Sequence, residues 1–195
     1  MKNIERAIDF AMLMEEMKKI ERQTRLIDSK RRENDAEHSY HVAMMAWILQ
    51  DYSDLEIDIN KVIKMLLVHD LPEIYAGDVP VYDVKANIGK REREIEALDR
   101  LGGQMSSDLE EEIKSLWYEF EEKKSNEALY AHAMDRIQPV LMAHRNKGVG
   151  WIERGARLED SRGRVEFVKD VSKEIWEYME WVYEDSVEKG YLLDD

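Results

Sequence analysis

Apolar side chains return every third or fourth residue along most of this chain, and no stretch keeps the strict alternation that a half-buried strand needs. Phe10, Leu13, Met14, Met17 and Ile20 set the spacing and predict a first helix over about 2–23. Asn34 or Asp35 can cap a second helix, with Val42, Ala43, Met45, Ala46 and Leu49 on its apolar side and His38 in its first turns. Asp58 or Asn60 can cap a third, running through Val62, Ile63, Leu66 and Leu67 to His69-Asp70, with a change of course at Pro72 or soon after. From Pro72 to Asp83 the chain holds Gly77 and two of its three prolines, and reads as an ordered loop beside that helix end.

Helix is predicted again over about 86–101, stopping at Gly102-Gly103. Ser107 with Glu110 reads as a capping box ahead of Leu109, Ile113, Leu116, Trp117 and Phe120. Two further helices, about 126–145 and 163–187, flank a glycine-containing loop from Gly148 to Gly155. The pattern gives an all-α fold, a compact helical bundle, and 195 residues fit one domain over 1–195. Trp117, Trp176 and Trp181 serve either the core or an interface.

Composition narrows the function. The formal net charge of -14 repels a nucleic acid polymer unless basic residues are segregated on one face. A small phosphorylated molecule answers instead to local charge, because salt screens remote charges beyond roughly 8–10 Å. Arg22, Arg25, Lys30, Arg31 and Arg32 crowd ahead of His38, either as a phosphate-facing patch or as a solvated basic loop. The chain has no cysteine, so disulfides, thiolate catalysis and Cys-ligated zinc are excluded and any metal must use His, Asp or Glu. No apolar run approaches the roughly 20 residues of a membrane span, and the opening Met1-Lys2-Asn3-Ile4-Glu5-Arg6 is unlike a signal peptide. A cytoplasmic protein is expected, with no membrane partner.

Three short strings carry chemistry: Glu37-His38-Ser39, His69-Asp70 at the end of an apolar helix, and Ala133-Met134-Asp135-Arg136 inside a later one. Singly each has a bland reading, the last as a helical ion pair. In conjunction, two histidines and an aspartate from separate helices, with the adjacent His69-Asp70 giving two donors, can satisfy a divalent cation and leave positions for water and substrate. Glu73 lies about one helical turn past this pair, close enough to address water there, and Asp78 follows Gly77, where the backbone can turn a side chain back or simply make a turn. His41, one turn beyond His38, can mimic a ligand. His132, three residues before Asp135, can orient one.

These strings resemble the HD-domain metal-dependent phosphohydrolases, and within them the bacterial 5'-deoxynucleotidase group. The segments that carry the resemblance are Glu33-Asn34-Asp35-Ala36-Glu37-His38-Ser39, His69-Asp70-Leu71-Pro72-Glu73-Ile74-Tyr75-Ala76-Gly77-Asp78 and Asp135-Arg136. The resemblance spans roughly residues 4–185. It implies one divalent cation (Mn, Co, Mg, Zn, Ni or Fe) held by His38, His69, Asp70 and Asp135, catalytic roles for Glu73 and Asp78, and a substrate contact from Arg22. It implies hydrolysis of deoxyribonucleoside 5'-monophosphates, a small phosphorylated partner, and a homodimer. The deoxynucleotidases follow their arginine with a bulky aromatic residue or Gly-Trp, whereas Gln23-Thr24-Arg25 stand here, so base and sugar recognition do not carry over. Two readings stay beside this one: hydrolysis of another phosphate ester or of a nucleotide di- or triphosphate, and a regulatory module that binds metal or nucleotide without turnover.

Overall fold

The computed structural model describes residues 2–78 and 87–194. Helix α1 (Lys2–Leu13) is shorter than its apolar repeat predicts: the chain tightens into a 3-10 turn over Met14–Lys19 and then extends as β1 (Glu21–Arg25). β1 pairs antiparallel with β2 (Arg32–Asn34), a hairpin that corrects the expectation of no strand. The physical reason lies in the side chains. The apolar repeat ends at Ile20, so nothing holds residues 21–25 on a helical face, while Arg22 finds buried carboxylates once the backbone is extended. The hairpin tip is tied down by Asn146, whose side chain accepts from the Asp28 amide and donates to the Leu26 carbonyl.

The next helices follow their caps. Asn34 accepts from the Glu37 amide and Glu37 accepts from the Asn34 amide, a complete capping box that starts α2 (Asp35–Leu49). Asp58 accepts from the amides of Asn60 and Lys61 to start α3 (Ile59–Val68), which ends at His69. A single turn, α4 (Glu73–Ala76), follows Pro72 and stops at Gly77, whose φ of +75° suits glycine. The expected loop is thus partly helical, and its remainder from 79, with Lys85 beyond it, lies outside the described residues.

α5 (Lys90–Gly102) ends where the glycines predict. α6 (Ser107–Glu122) lacks the expected capping box: Ser106 is the cap residue, and the Glu110 carboxylate instead accepts from Lys114 Nζ at 2.7 Å. α7 (Asn126–Arg145) is capped by Ser125 and holds Pro139 in its interior. A turn, α8 (Val149–Ile152), occupies the predicted glycine loop. The expected helix over 163–187 is two helices, α9 (Leu158–Val165) and α10 (Lys173–Glu188), separated by a 3-10 turn at Glu166–Asp170 and a fresh cap at Ser172. No helix among the described residues is long and apolar enough to cross a membrane.

Two apolar clusters hold these elements. The larger packs Val42 and Ala46 of α2, Met65 and Leu66 of α3, and Met134 and Ile137 of α7 against Met179 and Val182 of α10. The smaller gathers Phe10, Met17, Leu98, Leu101, Ile113 and Trp117. Trp117 is core, whereas Trp181, Tyr178 and Leu109 are exposed. The end of α3 lies between the clusters: Val68 packs against both, and Trp117 Nε1 donates to the His69 carbonyl at 3.1 Å. Helices α2, α3 and α7 are thereby fixed in mutual register, and they carry the residues of interest.

Leu66 is fully buried one turn before His69. Truncation there removes apolar contact and leaves a cavity, so Leu66→Ala is expected to lower unfolding stability by about 2–5 kcal/mol. Urea denaturation with an unchanged m value checks this, and a loss under 1 kcal/mol contradicts the packing described.

Candidate metal centre

His38, His69 and Asp135 arrive from α2, the end of α3 and the middle of α7, and one donor atom of each lies within 4.8 Å of the others. His38 Nε2 is 3.1 Å from Asp135 Oδ1, and His69 Nε2 is 3.8 Å from the same oxygen. Asp70 joins them, with Oδ2 at 3.1 Å from His69 Nε2 and 3.9 Å from His38 Nε2. Three of the four residues singled out in the sequence therefore converge on one point, and Asp70 lies beside the two histidines among them.

Ring orientation supports a metal-binding state. His69 Nδ1 donates to the Leu66 carbonyl at 2.8 Å, which leaves the Nε2 lone pair facing the cluster, where Nε2 has no hydrogen-bond partner. His38 turns Nδ1 toward Glu33 Oε1 at 3.6 Å and Nε2 toward the cluster. Two imidazoles that give up their protons on binding, plus two carboxylates, are a donor set that suits a divalent cation, whose charge offsets that of the acids. The cluster is thus compatible with a divalent metal.

Electrostatics around it are strong because the charged side chains are buried. Burial opposes ionisation of Asp70, but His69 and Arg22 outweigh it and hold the carboxyl well below the usual carboxylate range. Burial likewise opposes Asp135, and the His38 hydrogen bond and Arg136 keep it low. Burial and Arg22 push His38 down, yet Asp135 and Glu33 prevail and lift it to about 9. Glu73, buried in α4, is pushed up to about 11 by burial and by Asp70 and Asp35. Burial also raises Asp78, with Arg22 opposing.

Arg22 reaches into this site from β1. Its Nη1 donates to Asp70 Oδ2 at 2.7 Å and to Asp35 Oδ1 at 3.1 Å, and its Nε is 3.9 Å from Glu33 Oε1. The rest of the basic segment divides: Arg25 pairs with Glu153 and Arg31 with Glu37, so neither is a loose phosphate-facing charge. Arg22, Asp70, Glu73, Asp78 and Asp135 line one cavity of about 510 Å³. His38 lies behind them, fully buried. The cavity continues along α7 past Pro139, Val140 and Ala143 to Asn146, about 16 Å from Asp135 by helical rise.

Two participants were not assigned from sequence. Glu33 is buried behind His38, with Oε2 accepting from Gln138 Nε2 at 3.0 Å, and Asp35 is buried against Arg22. Three acids within five positions ahead of His38 were the available signal; the capping roles of Asn34 and Glu37 masked it. His41 turns to Gln138, at 3.2 Å, rather than to the cluster, and His144 pairs with Asp185.

Comparison with known proteins agrees with this geometry. Residues 14–176 match the HD domain family. The crystal structure of a predicted metal-dependent phosphohydrolase from Magnetospirillum magnetotacticum MS-1 superposes with a TM-score of 0.89 at 36% identity, over 98% of this chain and 99% of that one. The 5'-deoxynucleotidase HDDC2 of Danio rerio is 33% identical over 59% of this chain and 56% of its own length. The same enzyme of Dictyostelium discoideum is 36% identical over 57% and 62%. The matches thus span about three-fifths of these curated relatives.

His132, read as a possible partner of Asp135, turns elsewhere: its ring stacks on Phe120 at 3.8 Å between centroids, and Nε2 donates to the Phe120 carbonyl at 2.9 Å. Burial pushes this imidazole down to about 3. Between that value and the ordinary 6.5 the unfolded chain takes up the proton and the folded chain does not, so His132 costs stability as pH falls through this window. The slope is at most about 1.4 kcal/mol per pH unit. His132→Phe is expected to flatten the fall of unfolding free energy between pH 6.5 and 4.5, measured by urea denaturation; parallel curves for the two proteins contradict this.

Proposed function

The chain belongs to the HD domain family, and on that premise we propose that it is a metal-dependent 5'-deoxynucleotidase, releasing phosphate from deoxyribonucleoside 5'-monophosphates. The observation that carries the reading is the convergence of His38, His69, Asp70 and Asp135 at one end of a cavity that also receives Arg22, Glu73 and Asp78. The names of the two curated relatives supply the substrate class.

In this proposal His38, His69, Asp70 and Asp135 hold one divalent cation, which supplies Lewis acidity toward a phosphoryl oxygen and toward water. Arg22, kept charged by Asp70 and Asp135 against the cost of burial, donates to the remaining phosphoryl oxygens and offsets charge that grows in the transition state. Glu73 and Asp78 divide the proton transfers. One accepts a proton as water attacks phosphorus, and the other protonates the sugar 5'-oxygen as the P–O bond breaks. Both carboxyls are raised from their ordinary values, so each is able to carry a proton. Gln23 and Thr24 also line the cavity, and base and sugar are read by residues other than an aromatic side chain after Arg22.

Phosphate release by metal-stripped protein, with Mn, Co, Mg, Zn, Ni or Fe restored singly, tests the proposal on a panel of ribo- and deoxyribonucleoside 5'-monophosphates. Restored release that favours deoxynucleotides is expected, abolished in Asp70→Asn and lowered at least about 100-fold in kcat by Glu73→Gln. Release from no nucleotide with any metal rules the proposal out.

We also read 1–195 as one such domain, cytoplasmic with its nucleotide substrate, and as a homodimer. Ile4, Ile8 and Met12, exposed one turn apart along α1, offer an apolar stripe to a second copy. Sedimentation equilibrium is expected to give about twice the 23.1 kDa chain mass; a monomer at micromolar concentration refutes this.

A further inference from the structure

Asp35 opens α2 without capping it. Asn34 and Glu37 already exchange both bonds of the capping box, so the ordinary reason for an acid at this position is satisfied by its neighbours. The helix dipole favours a carboxylate in the first turn even when it stays in water. Asp35 is nevertheless 0% exposed, and a carboxylate withdrawn from water is costly unless a donor or cation meets it.

Arg22 meets it. Nη1 of Arg22 donates to Asp35 Oδ1 at 3.1 Å and to Asp70 Oδ2 at 2.7 Å. Asp70 Oδ2 is also the oxygen nearest the two histidine nitrogens, at 3.1 Å from His69 Nε2 and 3.9 Å from His38 Nε2. One acceptor is therefore shared between Arg22 and the cluster. Asp35 Oδ1 gives Arg22 an acceptor outside that shared position, while the rest of the carboxyl lies beside Glu73. Glu33 Oε1, at 3.9 Å from Arg22 Nε, steadies the other edge of the guanidinium.

We propose that Asp35 is the positioning residue for Arg22: its buried carboxylate keeps the guanidinium facing the cluster, where Arg22 meets the phosphate of the substrate, independently of Asp70. This rests on the phosphohydrolase reading only in that Arg22 contacts phosphate. Asp35 acts through Arg22, and because its carboxyl also neighbours Glu73 the assignment is read on phosphate binding rather than on turnover. A second acceptor on the same guanidinium nitrogen, with Glu33 near Nε, limits rotation of a fork whose several donors point in a fixed plane, and orientation of that plane governs bidentate phosphate binding.

The test is calorimetric titration of inorganic phosphate into the Mn-loaded full-length protein, with Mn affinity measured alongside. Asp35→Asn is expected to weaken phosphate binding about tenfold, the order of one charge-assisted hydrogen bond, while Mn affinity stays within about threefold. In the Arg22→Ala background the same change is expected to add less than about twofold, because the group it positions is gone. Should Asp35→Asn fail to fold, Arg22→Lys serves instead: it keeps a charge opposite Asp35 but loses the planar fork, and is expected to weaken phosphate binding similarly. Unchanged phosphate affinity, equal losses for Mn and phosphate, effects additive with Arg22→Ala, or a wild-type protein that binds no phosphate each overturn the assignment. Expected phosphate behaviour in a protein that hydrolyses no nucleotide leaves it standing and removes the nucleotidase reading.

Discussion

Carboxylates withdrawn from water need compensating charge, and Glu33, Asp35, Asp70 and Asp135 are withdrawn together around one cluster. Arg22 is a fixed cation among them, and its position depends on an extended backbone at residues 21–25. The β1–β2 hairpin follows from that requirement: without it the guanidinium has no route to Asp35 and Asp70. What Arg22 leaves uncompensated is charge that a divalent cation between the imidazoles can offset. The same arrangement that makes the interior electrostatically expensive thus makes it receptive to a cation.

The legible parts of the sequence were those where local and global preferences agree. α2, α3 and α7 combine a 3.6-residue apolar repeat with a polar cap at the start, and their bounds lie close to the reading. The hairpin was hidden because it is held by Arg22 pairing across 48 residues with Asp70, a contact no window of neighbouring residues contains. The break before α10 was hidden because Val168 and Val171 keep the apolar repeat while the backbone restarts at Ser172. For Ser107 and Glu110 the motif was present, but Lys114 competed for the glutamate. In the site, His69-Asp70 is legible because adjacency in sequence is adjacency in space. His38 and Asp135 needed the resemblance, and Glu33 and Asp35 were obscured because acids beside a helix start have a plausible capping role.

A net acidic chain and a cavity with several basic side chains coexist through segregation. The chain carries -14 overall, yet the cavity beside the cluster is lined by Lys90, Lys123 and Arg136 as well as Arg22. Screening makes this nearby charge, rather than the remote acids, decide what enters. α7 organises the rest: Asp135 faces the cluster, while Pro139, four residues on, removes the amide that the Asp135 carbonyl ordinarily accepts from and lines the cavity wall. One helix therefore supplies a donor to the cluster and part of the cavity wall.

His38 and Asp135 touch across 97 residues of chain, and Trp117 reaches the His69 carbonyl across 48. Closing loops of that length costs entropy before any contact repays it, so such contacts belong to the late part of a folding reaction. An isolated α2 or α3 carries one or two of the donors and none of the geometry. The fourth donor, Asp135, joins His38, His69 and Asp70 only when α7 packs against α2 and α3.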